Sequence, residues 1–105
     1  MAVIRDISDR RLLYRTRHVA IGQLFKELRE ERDLKQIDIA QVAGIGQSDV
    51  SKVESGERHI MFVEVDQFAH ALGIDVGVLA KTMFETMWAH DRDAQNPYED
   101  ASDEG

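Results

Sequence analysis

The sequence predicts an all-α protein of five short helices, and three observations carry that prediction. Apolar residues recur at steps of three and four in successive segments from Ile21 to Met87. Glycines at 44, 56 and 73 stand where those segments run out. No stretch alternates apolar and polar residues in the way a half-buried strand requires. With 105 residues, 43% of them apolar, one Pro and seven Gly, the chain has the length of one domain with a single core.

The elements follow in order. Residues 1–20 are a basic extension in which Ser8 is placed to cap a helix from Asp9, with Leu12, Leu13 and Thr16 along one side. The pattern fits a separate helix and an upstream continuation of the next one equally well. Ile21, Leu24, Phe25 and Leu28 then form the apolar stripe of an amphipathic helix that runs to about Arg32. Gln36 to Ala43 is a short second helix that buries Ile39, Ala40 and Ala43 and ends at Gly44. After Gly44-Ile45-Gly46, a third helix from Gln47 to Ser55 turns Val50 and Val53 inward and leaves Gln47, Ser48, Asp49, Ser51 and Lys52 outward. The fourth carries Phe62, Val65, Phe68, Ala69 and Leu72 on one stripe, and Asp75 caps a fifth that runs through Leu79, Met83 and Met87 towards His90. Residues 21–90 are thus a five-helix domain, and the polar segment 91–105 is expected to be a flexible acidic tail.

Charge and composition narrow the function. The formal net charge of −7 speaks against a phosphate-binding protein until its distribution is considered. Six carboxylates after position 90 (Asp91, Asp93, Glu99, Asp100, Asp103, Glu104) face one Arg92, whereas the first twenty residues hold five Arg against two Asp. A basic front, a near-neutral body and an acidic tail are compatible with local binding to DNA. There is no Cys, so disulfides and thiolate metal sites are excluded. His18, His59, His70 and His90 lack the i, i+4 pairing of a helical metal site, and no cofactor motif is present. No phosphate loop, serine elbow or carboxylate pocket points to catalysis, so no catalytic residue is assigned and an enzyme is not expected. The opening residues do not read as a signal peptide and no apolar run is long enough to span a bilayer, which makes the cytoplasm the expected setting.

The informative stretch is Leu34 to Gly56, two short helices joined by a glycine-containing turn, the second with a polar outer face. Such a pair suits the major groove of double-stranded DNA: the first helix crosses the backbone and the second offers its early side chains to base edges. Ile39, Ala40, Ala43, Ile45, Val50 and Val53 form the seam between them.

Leu34, Gln36, Ile39-Ala40, Gly44-Ile45, Gln47, Val50-Ser51, Val53-Glu54 and Gly56, followed by Ala69, Leu72-Gly73-Ile74 and Leu79, resemble the Cro/phage-repressor (XRE-like) helix-turn-helix family, with its lambda-repressor-like five-helix domain. The resemblance implies a DNA-binding transcription regulator, more readily a repressor. It implies that Gln47 reads adenine, braced by Gln36, through the donor and acceptor of a carboxamide. Ser48 and Lys52 fall at further base-reading positions, Ser51 and Ser55 suit phosphate oxygens, and Arg58 and His59 match backbone-contacting positions. Asp49 faces the groove, where a carboxylate accepts from cytosine or repels phosphate. Glu54 is expected to pair with Arg29 as a structural ion pair.

On the fifth helix, Leu79, Met83 and Met87 form one apolar stripe and Ala80, Phe84 and Trp88 a second beside it. So wide a surface predicts a homodimer assembled through this helix. The competing expectation is that the segment around Leu12, Leu13 and Tyr14 folds over the second stripe within one subunit. A two-fold dimer would set its recognition helices roughly 34 Å apart on a palindromic site. The alternative function is an antitoxin-like or adaptor protein that binds a protein partner, motivated by Asp49, Glu57 and the acidic tail.

Overall fold

The computed structural model describes residues 7–89, with side chains from residue 14 onward. Among these residues there are five helices and no strand: α1 (Ile7–Glu31), α2 (Gln36–Ala43), α3 (Gln47–Ser55), α4 (Phe62–Leu72) and α5 (Val76–Ala89). The upstream segment is therefore a continuation of α1. Ser8 lies inside that helix and does not cap it. The acidic segment expected to be flexible, like His90, lies outside the described residues.

Each helix boundary has a local cause. Asp33 ends α1 in the left-handed region at φ 53°, and Leu34 N donates to Arg29 O at 3.2 Å. Aspartate tolerates that conformation better than most side chains do. Gly44 ends α2 at φ 75°, where its amide returns to Ala40 O at 2.9 Å. At the other ends, carboxylates of the first turn replace the usual Ser and Thr caps. Asp38 accepts from Lys35 N at 2.8 Å, Asp49 from Gly46 N at 3.2 Å and Glu64 from Met61 N at 2.9 Å. Asp75, at its predicted cap position, accepts from Gly77 N at 3.0 Å and Val78 N at 3.2 Å. Each negative charge also sits at the positive end of a helix dipole.

Ile21 and Phe25 of α1, Ile39 and Ala40 of α2, Val50 and Val53 of α3, Phe68, Ala69 and Leu72 of α4, and Leu79 of α5 share one core. Phe25 and Phe68 meet edge to face with centroids 5.0 Å apart. Burying a side chain of this kind is worth about 1.5–3 kcal/mol. α1 comes close to α3 because residue 22 is glycine: a Cβ there would stand 2.7 Å from Glu54 O and closer still to Val53 O.

One stripe is corrected. Phe62, expected inward, is 92% exposed, while Glu64 is buried. Two residues turn a helix by about 200°, so when Glu64 takes the inward position of the first turn, Phe62 is driven to solvent.

Candidate nucleic-acid interface

α3 is held by the seam of Val50 and Val53, which leaves Gln47, Ser48, Lys52 and Ser55 exposed and Ser51 half-buried beside them. Behind this face runs a relay of four side chains. Arg29 Nε donates to Glu54 Oε2 at 2.7 Å and Arg29 Nη2 to Glu54 Oε1 at 3.0 Å. Gln36 Nε2 donates to Glu54 Oε1 at 3.0 Å, and Gln47 Nε2 donates to Gln36 Oε1 at 2.7 Å. The relay has a polarity. An ionised carboxylate only accepts hydrogen bonds, so Glu54 draws the amide nitrogen of Gln36 and turns its oxygen to Gln47. Gln47 must then give one of its two N–H groups to Gln36. Its second N–H and its carbonyl oxygen remain, the donor and acceptor that adenine N7 and N6 require. Arg29 also donates to Leu34 O at 2.7 Å, tying the end of α1 to the start of the motif. The hydrogen bond from Arg29 to Glu54 raises the guanidinium pKa above its ordinary value.

The other predicted contacts are placed differently. Arg58 is half-buried and grips Glu64 with both prongs, Nη1 to Oε1 at 2.9 Å and Nη2 to Oε2 at 2.6 Å. Its Nε lies 3.6 Å from Asp49 Oδ1. Arg58 is thus an ion-paired cation in the folded chain, with two carboxylates beside it. In the same cluster the Asp49 carboxylate caps α3 and faces Arg58. The hydrogen bond from Arg58 holds the Glu64 carboxyl below its usual pKa, against the opposing effect of burial. Ser55 spends its hydroxyl proton on Lys52 O at 3.1 Å.

His59 is exposed and belongs to an aromatic cluster that spacing did not reveal. Its ring stacks on His18 with centroids 3.7 Å apart, and Tyr14 OH lies 3.3 Å from His59 Nδ1. The i, i+4 pairing of Tyr14 and His18 was open to inspection. Their meeting with a residue some forty positions away was not. Burial and the neighbouring His59 push the His18 pKa below its ordinary value.

On α5, Leu79 is 1% exposed and lies in its own subunit's core, so its assignment to an interface between copies is corrected. Met83 and Met87 pack against the same core, and Arg17 Cζ stands 4.6 Å from the centroid of Trp88. A residue of α1 thus covers part of the second stripe within one chain. Apolar exposure is concentrated elsewhere. Phe62, Val63, Val65, Asp66, Val76, Gly77 and Ala80 line a shallow groove between α4 and α5, with Phe62, Val63 and Val76 all exposed.

A family model described as "Helix-turn-helix" matches residues 25–79. No curated protein matches the chain. Among solved structures, the restriction-modification controller protein C.AhdI from Aeromonas hydrophila is 36% identical, with a TM-score of 0.55 over 58% of this chain and 92% of that one. The clp gene regulator ClgR from C. glutamicum is 18% identical, with a TM-score of 0.59 over 68% of this chain and 92% of the other. The controller protein C.Esp1396I is 16% identical, with a TM-score of 0.62 over 70% and 96% of the two chains. The last two likenesses concern the fold. Among the described residues no helix is long and apolar enough to cross a membrane.

Proposed function

The chain belongs to the XRE-type helix-turn-helix family of DNA-binding transcription regulators, and from that premise we propose that it is a homodimeric repressor of a palindromic operator. The observation that carries the proposal is the polarised relay from Arg29 through Glu54 and Gln36 to Gln47. It spends ordered hydrogen bonds on orienting one exposed carboxamide of α3, which a merely solvated surface does not need. Gln47 reads one base, Ser48 and Lys52 reach neighbouring edges, and Ser51 and Ser55 lie towards the backbone. Repression then requires no more than occupancy of promoter DNA. The 36% identity with a restriction-modification controller protein supports a controlling role.

Dimerisation supplies the second half-site, because one short helix reads only a few base pairs. The surface for it is the α4–α5 groove around Phe62, Val63, Val76 and Ala80. A phenylalanine left 92% exposed beside two exposed valines is the kind of patch that a second copy covers. A two-fold axis through the groove would pair like with like.

Selection of bound sites from random duplex DNA tests the proposal. The expected product is a palindrome whose half-sites are about one helical turn apart. Half-sites without symmetry would remove the dimer, and no enriched sequence would remove specific recognition. The adaptor alternative loses part of its motivation, since the Asp49 carboxylate is engaged by Gly46 and Arg58.

A further inference from the structure

α1 extends well upstream of residue 25, where the family match begins. The upstream part does not run off into solvent. It passes alongside α3, and a groove of about 330 Å³ lies among side chains of the two helices beside their close approach at Gly22. Val19, Gln23 and Lys26 line it from α1, Ser51 and Ser55 from α3, and Gln36 and Glu54 at its base. The groove therefore opens beside the exposed face that carries Gln47 and Lys52.

Its chemistry is that of an anion site. Lys26 is an exposed cation on one wall beside Gln23, which gives one N–H to Glu27 Oε1 at 3.3 Å and keeps the second, and Ser51 is a half-buried hydroxyl on the other. The one carboxylate lining the groove, Glu54, is buried and already receives three hydrogen bonds, two from Arg29 and one from Gln36. Arg15, exposed, stands one turn upstream of Val19 on the same helical face, since steps of four, four and three residues bring 15, 19, 23 and 26 into one stripe. At 1.5 Å per residue the stripe from Arg15 to Lys26 is about 16 Å long.

The dimensions of DNA assign its neighbour. The major groove is about 12 Å wide and is filled by a single helix. Packed helices lie about 8–10 Å apart. When α3 enters the groove, α1 cannot enter with it, and the groove that Gln23 and Lys26 share with Ser51 and Ser55 beside the exposed face of α3 places that side of α1 towards the phosphates at the edge. We infer that the α1 stripe of Arg15, Gln23 and Lys26, with the groove it shares with Ser51, is a binding site for the phosphate backbone of the same duplex. The inference rests on the DNA-binding function of α3 and adds a second contact element to it. Arg58 is paired with Glu64; the cations of α1 add a charge outside that pair.

The test is a salt titration of duplex binding by fluorescence anisotropy, on an operator and on a random duplex. Removing one phosphate-neutralising cation should lower the slope of log K against log salt by about 0.9, or about 3.5-fold less loss of affinity over a fourfold salt range. Arg15→Ala and Lys26→Ala should each do this, equally on both duplexes, with unchanged helicity and melting, and Lys26→Arg should restore the slope. Lys81→Ala, which removes an exposed cation of α5 outside the stripe, should leave it unchanged. If Arg15→Ala and Lys26→Ala keep the full slope while the parent protein binds DNA, or if Lys81→Ala lowers it equally, the site is overturned and α3 recognition stands. If the parent protein itself binds neither duplex at low salt, DNA binding fails first and the site fails with it.

Discussion

Arg58 meets Glu64 through two parallel hydrogen bonds, 2.9 and 2.6 Å long, six residues apart in the chain. The pair joins the loop after the recognition helix to the first turn of α4, and Asp49 at the start of α3 adds a second carboxylate at 3.6 Å. One guanidinium thereby ties together three segments around the exposed face of α3. The pair fixes the loop after α3 against the first turn of α4.

Arg58→Ala should therefore act on stability. It leaves Glu64, whose side chain is 7% exposed, without its charged partner, at a cost of about 1–3 kcal/mol. A lower urea midpoint with an unchanged m-value is the expected result. A large loss of DNA affinity with stability intact would instead show that Arg58 leaves Glu64 for phosphate.

Gln36→Ala and Gln47→Ala should relax preference at the same base position, each by about 1–3 kcal/mol. Because Gln36 acts by orienting Gln47, the double variant should lose little more than either single one. Competition binding with duplexes varied one base at a time measures this, and full additivity would separate the two residues.

Gly22→Ala should be severely destabilising although alanine is the better helix former. The added methyl would press on the Val53 and Glu54 carbonyl oxygens, and backbone cannot give way as a side-chain tip does. A melting temperature equal to that of the parent protein would show that α1 and α3 are less tightly apposed.

Phe62→Asp should yield a monomer, read by sedimentation, with helicity retained because the residue is exposed. Operator affinity should fall steeply while weak binding to a half-site persists. A dimer that survives the change would move the interface away from the α4–α5 groove.

Two groups give stability a pH dependence of the same sign. His18 has a pKa below its ordinary 6.5 in the folded chain, so the unfolded chain binds the proton more readily. Its contribution is complete above about pH 6.5 and is lost as pH falls through the lowered folded value. Glu64, also lowered, acts in a more acidic window: its contribution is present above its ordinary 4.5 and lost below. Urea midpoints against pH should show both declines, and His18→Gln should abolish only the upper one.

What the sequence determined by itself was local. Helix positions follow from apolar spacing within a few residues, and the cap at Asp75 and the stop at Gly44 involve neighbours in the chain, so α2, α3 and the exposed face with Gln47 were legible before any packing was known. The Arg29–Glu54 partnership was expected only through family resemblance. Tertiary structure alone decided who meets whom beyond that. Arg58 matched a backbone-contacting position and Asp49 a groove-facing one, and only the crossing of α3 and α4 showed that they meet one another and Glu64. His18 and His59 became neighbours because α1 continues without a break past the α3–α4 loop. Phe62 fitted an inward period, yet a carboxylate two residues on held the inward place. Spacing reports which side of a helix a residue occupies. Only the way helices cross, set here by close approach at Gly22 and the shared core, determines which sides find partners within the chain and which are left exposed.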